Sequence, residues 1–320
     1  MVGLDTNGRV TVVLRTLATA AAVTLVVLSG CSAKVSRENA TEVVRPSEMV
    51  AVEGPAPAGR FYVKAGENSL DADLYQFRFS PRVQDRITTK ARVSTLDGCD
   101  DKIVLSAAQK EVGLTDHLQE LQGNKLVPVD QLGLQPGSDP HVSADCRILY
   151  LRVVEADPEL VNEIMLFNPA TGSTTGVVKG STVGSASWGP NGEIIILMRE
   201  ATGPVLVVRQ PDGSQTQINP EQPDVGNVQW GRGGWIAMGV AQPRQAPTGT
   251  LFVNPSTGER SQLDGWLPLA WSPDGQQLLV TEATKGKTLA VVELPDLTKT
   301  RNVGVSEVGT VWDGVWLPPA

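Results

Sequence analysis

The sequence predicts an all-β chain that closes into a β-propeller, with six blades of four strands each. Three observations carry that fold class. Trp188, Trp230, Trp271 and Trp312 stand 42, 41 and 41 residues apart, the interval at which a four-stranded blade repeats. A second ladder out of phase with the first, Pro169, Pro211, Pro255 and Pro295, keeps a similar beat of 42, 44 and 40 residues. Between these marks run short β-rich stretches with no long helical period, so that each unit buries its apolar faces only against its neighbours.

The first element is an address. Arg9 and Arg15 precede an apolar run, Thr16 to Leu28, which is short for a membrane span and the right length for the core of a signal peptide. The run ends in Leu28-Ser29-Gly30-Cys31, which resembles the bacterial lipobox, in which a Leu, two small residues and a Cys are read by the lipoprotein pathway. The resemblance implies cleavage after Gly30, a diacylglyceryl thioether on Cys31, and anchorage to the outer face of the cytoplasmic membrane or a periplasmic leaflet. An ordinary cleaved signal peptide and an uncleaved anchor are the alternatives. At about 0.8 kcal/mol per buried CH₂, two acyl chains anchor durably where one alone is marginal. Residues 1–30 therefore read as a signal peptide, 31–59 as the lipidated cysteine and a tether, and 60–320 as the propeller. The tether is polar and ends in Pro-Ala-Pro-Ala-Gly, although Val43, Val44 and Met49 to Val52 are apolar enough to dock on the propeller.

The blades follow in order. Phe61 to Lys64, Asp73 to Phe79 and Arg86 to Lys90 are strand candidates without a blade of their own. The first unit holds Lys102 to Ala107, His117 to Leu121 and Lys125 to Val129; the second holds Ile148 to Val154 and Glu163 to Phe167. The clearest unit has Ser185 to Trp188, Glu193 to Met198, Pro204 to Arg209 and Ser214 to Ile218. Its run Ile194 to Leu197 is apolar throughout, as in a strand covered on both faces. Two further units end at Leu263 and Val303, which leaves Val308 to Leu317 to pair with the N-terminal strands in a composite sixth blade. Such closure hides sheet edges. The prolines fall in turns such as Asn168-Pro169-Ala170-Thr171-Gly172, where Pro presets φ and Gly supplies a positive φ.

Once Cys31 is set aside, Cys99 and Cys146 remain, an even pair in an oxidising compartment. Each lies just before an apolar strand, at equivalent turns of adjacent units, so the expectation is a bridge between two blades, with two free buried thiols as the alternative.

The phrase Trp271-Ser272-Pro273-Asp274-Gly275, with its degenerate copy Trp188-Gly189-Pro190-Asn191-Gly192, resembles the repeat of TolB-type propellers, WD-repeat-like in style. The period matches over Arg60 to Pro318, and one copy carries the full phrase. The C-terminal propeller of actinobacterial LpqB-type lipoproteins is similar in kind. The resemblance implies a six-bladed fold and a binding role, and it transfers no partner.

Composition narrows the function. With 27 Lys plus Arg against 35 Asp plus Glu, a net charge of −8 and no basic run, a nucleic-acid platform is disfavoured. His117 and His141 are the only histidines. Neither sits in a metal pattern, and both read as surface or turn residues, so no metal or cofactor is expected. No nucleophile elbow occurs, and Asp274, Asp145 and Asn191 are turn residues whose side chains bond nearby backbone. Trp188, Trp230, Trp271 and Trp312 read as packing between blades. Trp266, in Asp264-Gly265-Trp266-Leu267-Pro268, reads as part of a connection between blades and as a candidate partner-binding anchor. The favoured expectation is a membrane-anchored, non-enzymatic scaffold that binds a protein or cell-envelope component; the alternative is an enzyme acting on an envelope glycan or small metabolite in the channel.

Overall fold

In a computed structural model, short strands bounded by turn residues fold into six antiparallel sheets arranged as propeller blades. The structure describes residues 42–44, 50–51 and 56–319, apart from residues 81, 109–115, 130–131, 133–134, 157–158, 243–244 and 298. These fall within the compact unit Asn39–Ala320; the signal segment, Leu28 to Gly30 and Cys31 lie outside the described residues.

Blade 1 comprises Val93–Cys99, Lys102–Ala108, Asp116–Gln122 and Lys125–Pro128. Blade 2 comprises Ser138–Val142, Ile148–Ala156, Glu159–Asn168 and Ser173–Gly180. Blade 3 comprises Val183–Trp188, Ile194–Glu200, Gly203–Arg209 and Gln215–Ile218. Blade 4 comprises Asp224–Trp230, Ile236–Ala241, Gly249–Val253 and Arg260–Asp264, and blade 5 comprises Trp266–Trp271, Gln277–Glu282, Thr288–Glu293 and Lys299–Val305. In each, the first strand lies innermost and the second, third and fourth follow outward in chain order.

Blade 6 is composite, as the sequence predicts: Thr310–Leu317 is its inner strand and Arg60–Gly66, Asp73–Phe79 and Arg82–Arg86 complete it. One boundary differs. The expected strand Arg86 to Lys90 lies mostly in a connection, where Lys90 and Arg92 have positive φ of 57° and 52°. That connection is held by the buried Asp73 carboxylate, which accepts from the Ala91 amide at 2.8 Å and the Thr88 hydroxyl at 3.1 Å. Two short stretches before blade 6 pair with the propeller. Glu42–Val44 pairs in parallel with Ser261 to Leu263 on the rim of blade 4, and Val50–Ala51 pairs with Lys299 and Thr300 on blade 5, giving each a fifth strand.

Strand directions define two faces. Inner strands run from a hairpin face, where the second and third strands join and blades connect, to a turn face, where the Trp-led turns lie. The core consists of the seams between blades. Ile195, Leu197, Leu206 and Val208 of blade 3, for example, pack on Val225, Val228, Ile236 and Met238 of blade 4. Fully burying such a side chain stabilises by about 1.5–3 kcal/mol, so the seams supply the cohesion that an isolated blade lacks.

The Trp ladder is a seam device. The Trp230 and Trp271 rings lie over the preceding blade's turn, so close that a Cβ on Gly189 would meet Trp230 at 2.8 Å and one on Gly231 would meet Trp271 at 2.5 Å. Trp188 takes the Arg147 guanidinium over its ring at 4.6 Å instead. The fourth rung needs correction. Trp271 pairs with Leu278, and the residue in the matching place in blade 6 is Trp316, paired with Phe61. Trp316 stands 45 residues after Trp271; it is 5% exposed and its indole N–H donates to the Ala58 carbonyl at 2.8 Å. Trp312, which the even interval selects, falls in a bulge between Val311 and Asp313 and is 39% exposed.

Candidate functional site

An inner strand has a neighbour on one side only, so its other backbone edge faces the central channel and needs partners. Side chains supply them across five of the six seams. The Asp97 carboxylate accepts from the Val142 amide at 2.7 Å, and Asp313 accepts from the Leu96 amide at 3.0 Å. The Ser187 hydroxyl accepts from the Trp230 amide at 3.2 Å, the Gln229 amide donates to the Leu269 carbonyl at 3.2 Å, and the Trp188 indole donates to the His141 carbonyl at 3.1 Å. The polar residues of these strands are therefore largely structural.

All six inner strands also bulge. A bulge leaves residues unpaired and re-aims their side chains. At Asp139 and Asn227 the backbone turns left-handed, with φ of 52° and 50°, a conformation that Asp and Asn tolerate better than most residues. The channel encloses about 430 Å³ and reaches from Ser94 and Trp312 near the hairpin face to Pro190 and Arg232 on the turn face.

Charges gather in its wall. His141 lies between Asp97 and Asp139, Nδ1 3.9 Å from an Asp97 oxygen and Nε2 3.6 Å from an Asp139 oxygen. Burial by itself lowers the imidazole, but Asp139, Asp97 and Asp313 outweigh it and push His141 up to about 9. Burial pushes Asp97 up, against the pull of His141 and two backbone amides. Asp313 is raised by burial to about 7, although the Leu96 and Gly314 amides and Lys64 favour its charged form. The buried Lys64 ammonium donates to the Ser94 carbonyl at 2.7 Å; burial lowers it while Asp313 and Asp116 raise it. Asp97 keeps 30% of its side chain exposed, so the channel is wet and its charges are screened.

The turn residues behave as their chemistry suggests. The Ser272 hydroxyl donates to Asp274 at 2.6 Å and accepts from the Gln277 amide at 2.9 Å; Asp274 accepts from the Gln276 amide at 3.1 Å and is held below its ordinary value. Pro273 precedes that aspartate, and Gly275 supplies φ of +70°. Ser143, Asp145 and Cys146 copy this turn in blade 2, with Cys146 at φ of 60° where Gly275 stands in blade 5. Cys99 and Cys146 are disulfide-bonded, Cα atoms 5.6 Å apart, which fastens blade 1 to blade 2 on the turn face.

Two sequence readings change. His141 is channel wall and His117 a strand residue 1% exposed, so neither is a surface or turn histidine. Trp266 opens the inner strand of blade 5 instead of lying in a connection; it is half-buried against the cluster of Trp235, Phe252 and Leu278, at the hairpin face. The channel residues Asp97, Asp139, Asn227 and Asp313 escaped the sequence reading. The signal was present: aligning the inner strands on their turns puts Asp97, His141, Ser187 and Gln229, all polar, at one position. Among the described residues, no three His, Cys, Asp or Glu side chains are grouped to hold a metal ion.

Among solved structures, TolB from Acinetobacter baumannii superposes with a TM-score of 0.65 at 15% identity, over 82% of this chain and 68% of that one. A gluconolactonase from Xanthomonas campestris superposes with a TM-score of 0.51 at 12% identity, over 71% of this chain and 84% of that one. The fold is a TolB-like six-bladed β-propeller. No protein-family model and no curated protein sequence matches the chain. The same fold serves a gluconolactonase, so the fold alone does not decide between binding and catalysis.

Proposed function

We propose that this protein is an exported lipoprotein, anchored through Cys31 to the outer face of the cytoplasmic membrane, whose propeller is a scaffold for a protein or cell-envelope component. One observation carries the binding role. The large apolar side chains exposed among the described residues, Leu70, Val153, Leu160, Val305 and Trp312, all belong to the hairpin-face half of their strands or to its loops. Trp266 opens onto the same face. Their common side favours that face for apolar contact with a partner. The anchor reading rests on the lipobox resemblance and on the even cysteine pair that remains once Cys31 is set aside.

The test combines anchor and face. Cys31→Ser should move the protein from the membrane fraction to the soluble one, and a photo-crosslinker at Leu70 should capture an envelope partner that one at Lys125, on the turn face, does not. A variant still processed and membrane-bound overturns the anchor, and equal capture from both faces overturns the face. A second reading, an enzyme acting on a glycan or small metabolite, draws on the His141, Asp97 and Asp139 cluster. A substrate screen that found turnover abolished by His141→Gln would favour it.

A further inference from the structure

The polar side chains of the channel divide into those that are used and those that are not. Asp97, Asp313, Ser187 and Gln229 bond the backbone of a neighbouring inner strand. The exposed Asn227 amide has no hydrogen-bond partner among the described residues. Asp139 bonds no backbone group of the described residues through its carboxylate; it lies 3.6 Å from the edge of His141 and keeps 28% of its side chain exposed. Trp312, 39% exposed, lines the same cavity. These three stand on blades 2, 4 and 6, alternate blades of a closed ring of six, and each sits in the bulge of its inner strand. They therefore stand around the channel about a third of a turn apart, with Trp312 one residue nearer the hairpin face than Asp139 and Asn227.

We propose that this stretch of the channel, between Trp312 and the two bulges of blades 2 and 4, is a carbohydrate-binding site for a neutral pyranose unit. The apolar face of the sugar ring stacks on Trp312, and its hydroxyls are held by the Asn227 amide and the Asp139 carboxylate. An indole offers a large, rigid apolar face at little entropic cost, and an amide with a carboxylate supplies the donors and acceptors that ring hydroxyls need. A cavity of about 430 Å³ lies within the range of small-ligand sites. An organic cation, the other ligand that an aromatic face and a carboxylate attract, fits less well, because His141 and Lys64 already bring positive charge to the channel. This inference rests on the reading of the propeller as a binding scaffold but not on the anchor, so failure of the Cys31 experiment leaves it standing.

The test is titration calorimetry on the detergent-solubilised full chain with glucose, maltose, N-acetylglucosamine and its β-1,4-linked disaccharide, and with tetramethylammonium as the competing chemistry. At least one saccharide should bind saturably. Trp312→Ala should weaken that binding about tenfold and Asn227→Ala several-fold, each with an unchanged circular-dichroism spectrum. Trp312→Phe, which keeps an aromatic face, should retain most of the affinity. Absence of saturable binding for all four saccharides, binding of tetramethylammonium alone, or saccharide binding untouched by both alanine variants overturns the proposal.

Discussion

The seam role of the tryptophans is tested most sharply through a glycine. Gly231 opens the turn of blade 4 directly beneath the Trp271 ring, and a Cβ there would stand 2.5, 2.7 and 2.8 Å from three ring atoms. Its φ lies outside the left-handed region, so Gly231→Ala adds a methyl group without backbone strain, and its whole effect is overpacking. The ring cannot swing aside freely, because Trp271 also packs edge-on against Phe252 at 6.5 Å. Forcing a methyl into a filled site costs about 1–3 kcal/mol, equivalent to a drop of roughly 2–4 °C per kcal/mol in Tm for a body of this size. Trp271→Ala alone removes a half-buried ring and costs about 3 kcal/mol. In the double variant the added methyl enters space the ring has left, so the two losses should fail to add by about 1–3 kcal/mol. Urea denaturation of the four proteins measures this coupling. Gly226→Ala is the control, since nothing lies within 4 Å of its Cβ position. An equal cost of Gly231→Ala with and without the Trp271 ring, or no cost at all, refutes the seam account.

Two further outcomes are expected. Removing the disulfide by the double change Cys99→Ser and Cys146→Ser frees a loop with a sequence separation of 47, worth about 4 kcal/mol on the chain-entropy estimate; a loss below about 1 kcal/mol in denaturant titration would show that the neighbouring seams already hold the two turns together. Folding should also weaken as pH rises. His141, raised to about 9, contributes stability that is complete below the unfolded imidazole value of about 6.5 and is lost through pH 9. Asp313, raised to about 7, acts in the same direction between about 3.8 and 7. Tm measured at constant salt should fall from pH 6.5 to 9, and His141→Gln should flatten that fall; a rise in Tm over this window, or an identical slope in the variant, contradicts it.

The fold was legible because a propeller repeats. Turn chemistry is local, so Pro169, Pro211 and Pro255 mark the joins between third and fourth strands, where Gly172, Gly213 and Gly258 have positive φ of 68°, 89° and 73°. Closure was legible from arithmetic, since Val308 to Leu317 had no unit of its own. The channel was not legible. Leu96 and Asp313 are 217 residues apart in sequence and become neighbours only when blade 6 closes on blade 1. The even interval that revealed the ladder also misplaced its last rung. Trp312 keeps the beat of 41, yet the seam requires Trp316, because the composite blade draws its second strand from the other end of the chain and is not bound to the spacing of the others.

That misplacement bears on function. In a repeat fold, equivalent positions inherit equivalent tasks, and Trp188, Trp230, Trp271 and Trp316 discharge the same one at successive seams. Trp312 discharges no such task. It lies four residues upstream in a bulge and leaves 39% of its surface in contact with solvent, although burial of an indole is among the larger single gains a fold can make. Asn227 departs similarly: its left-handed backbone is a local cost, and its side chain recovers none of it through a hydrogen bond among the described residues. A structural explanation must find what these residues hold together, and none of the seams needs them. A ligand in the channel accounts for both departures at once, which is why Trp312 and Asn227, rather than the better-connected Asp97 and Asp313, are the residues whose replacement should alter binding and leave the fold intact.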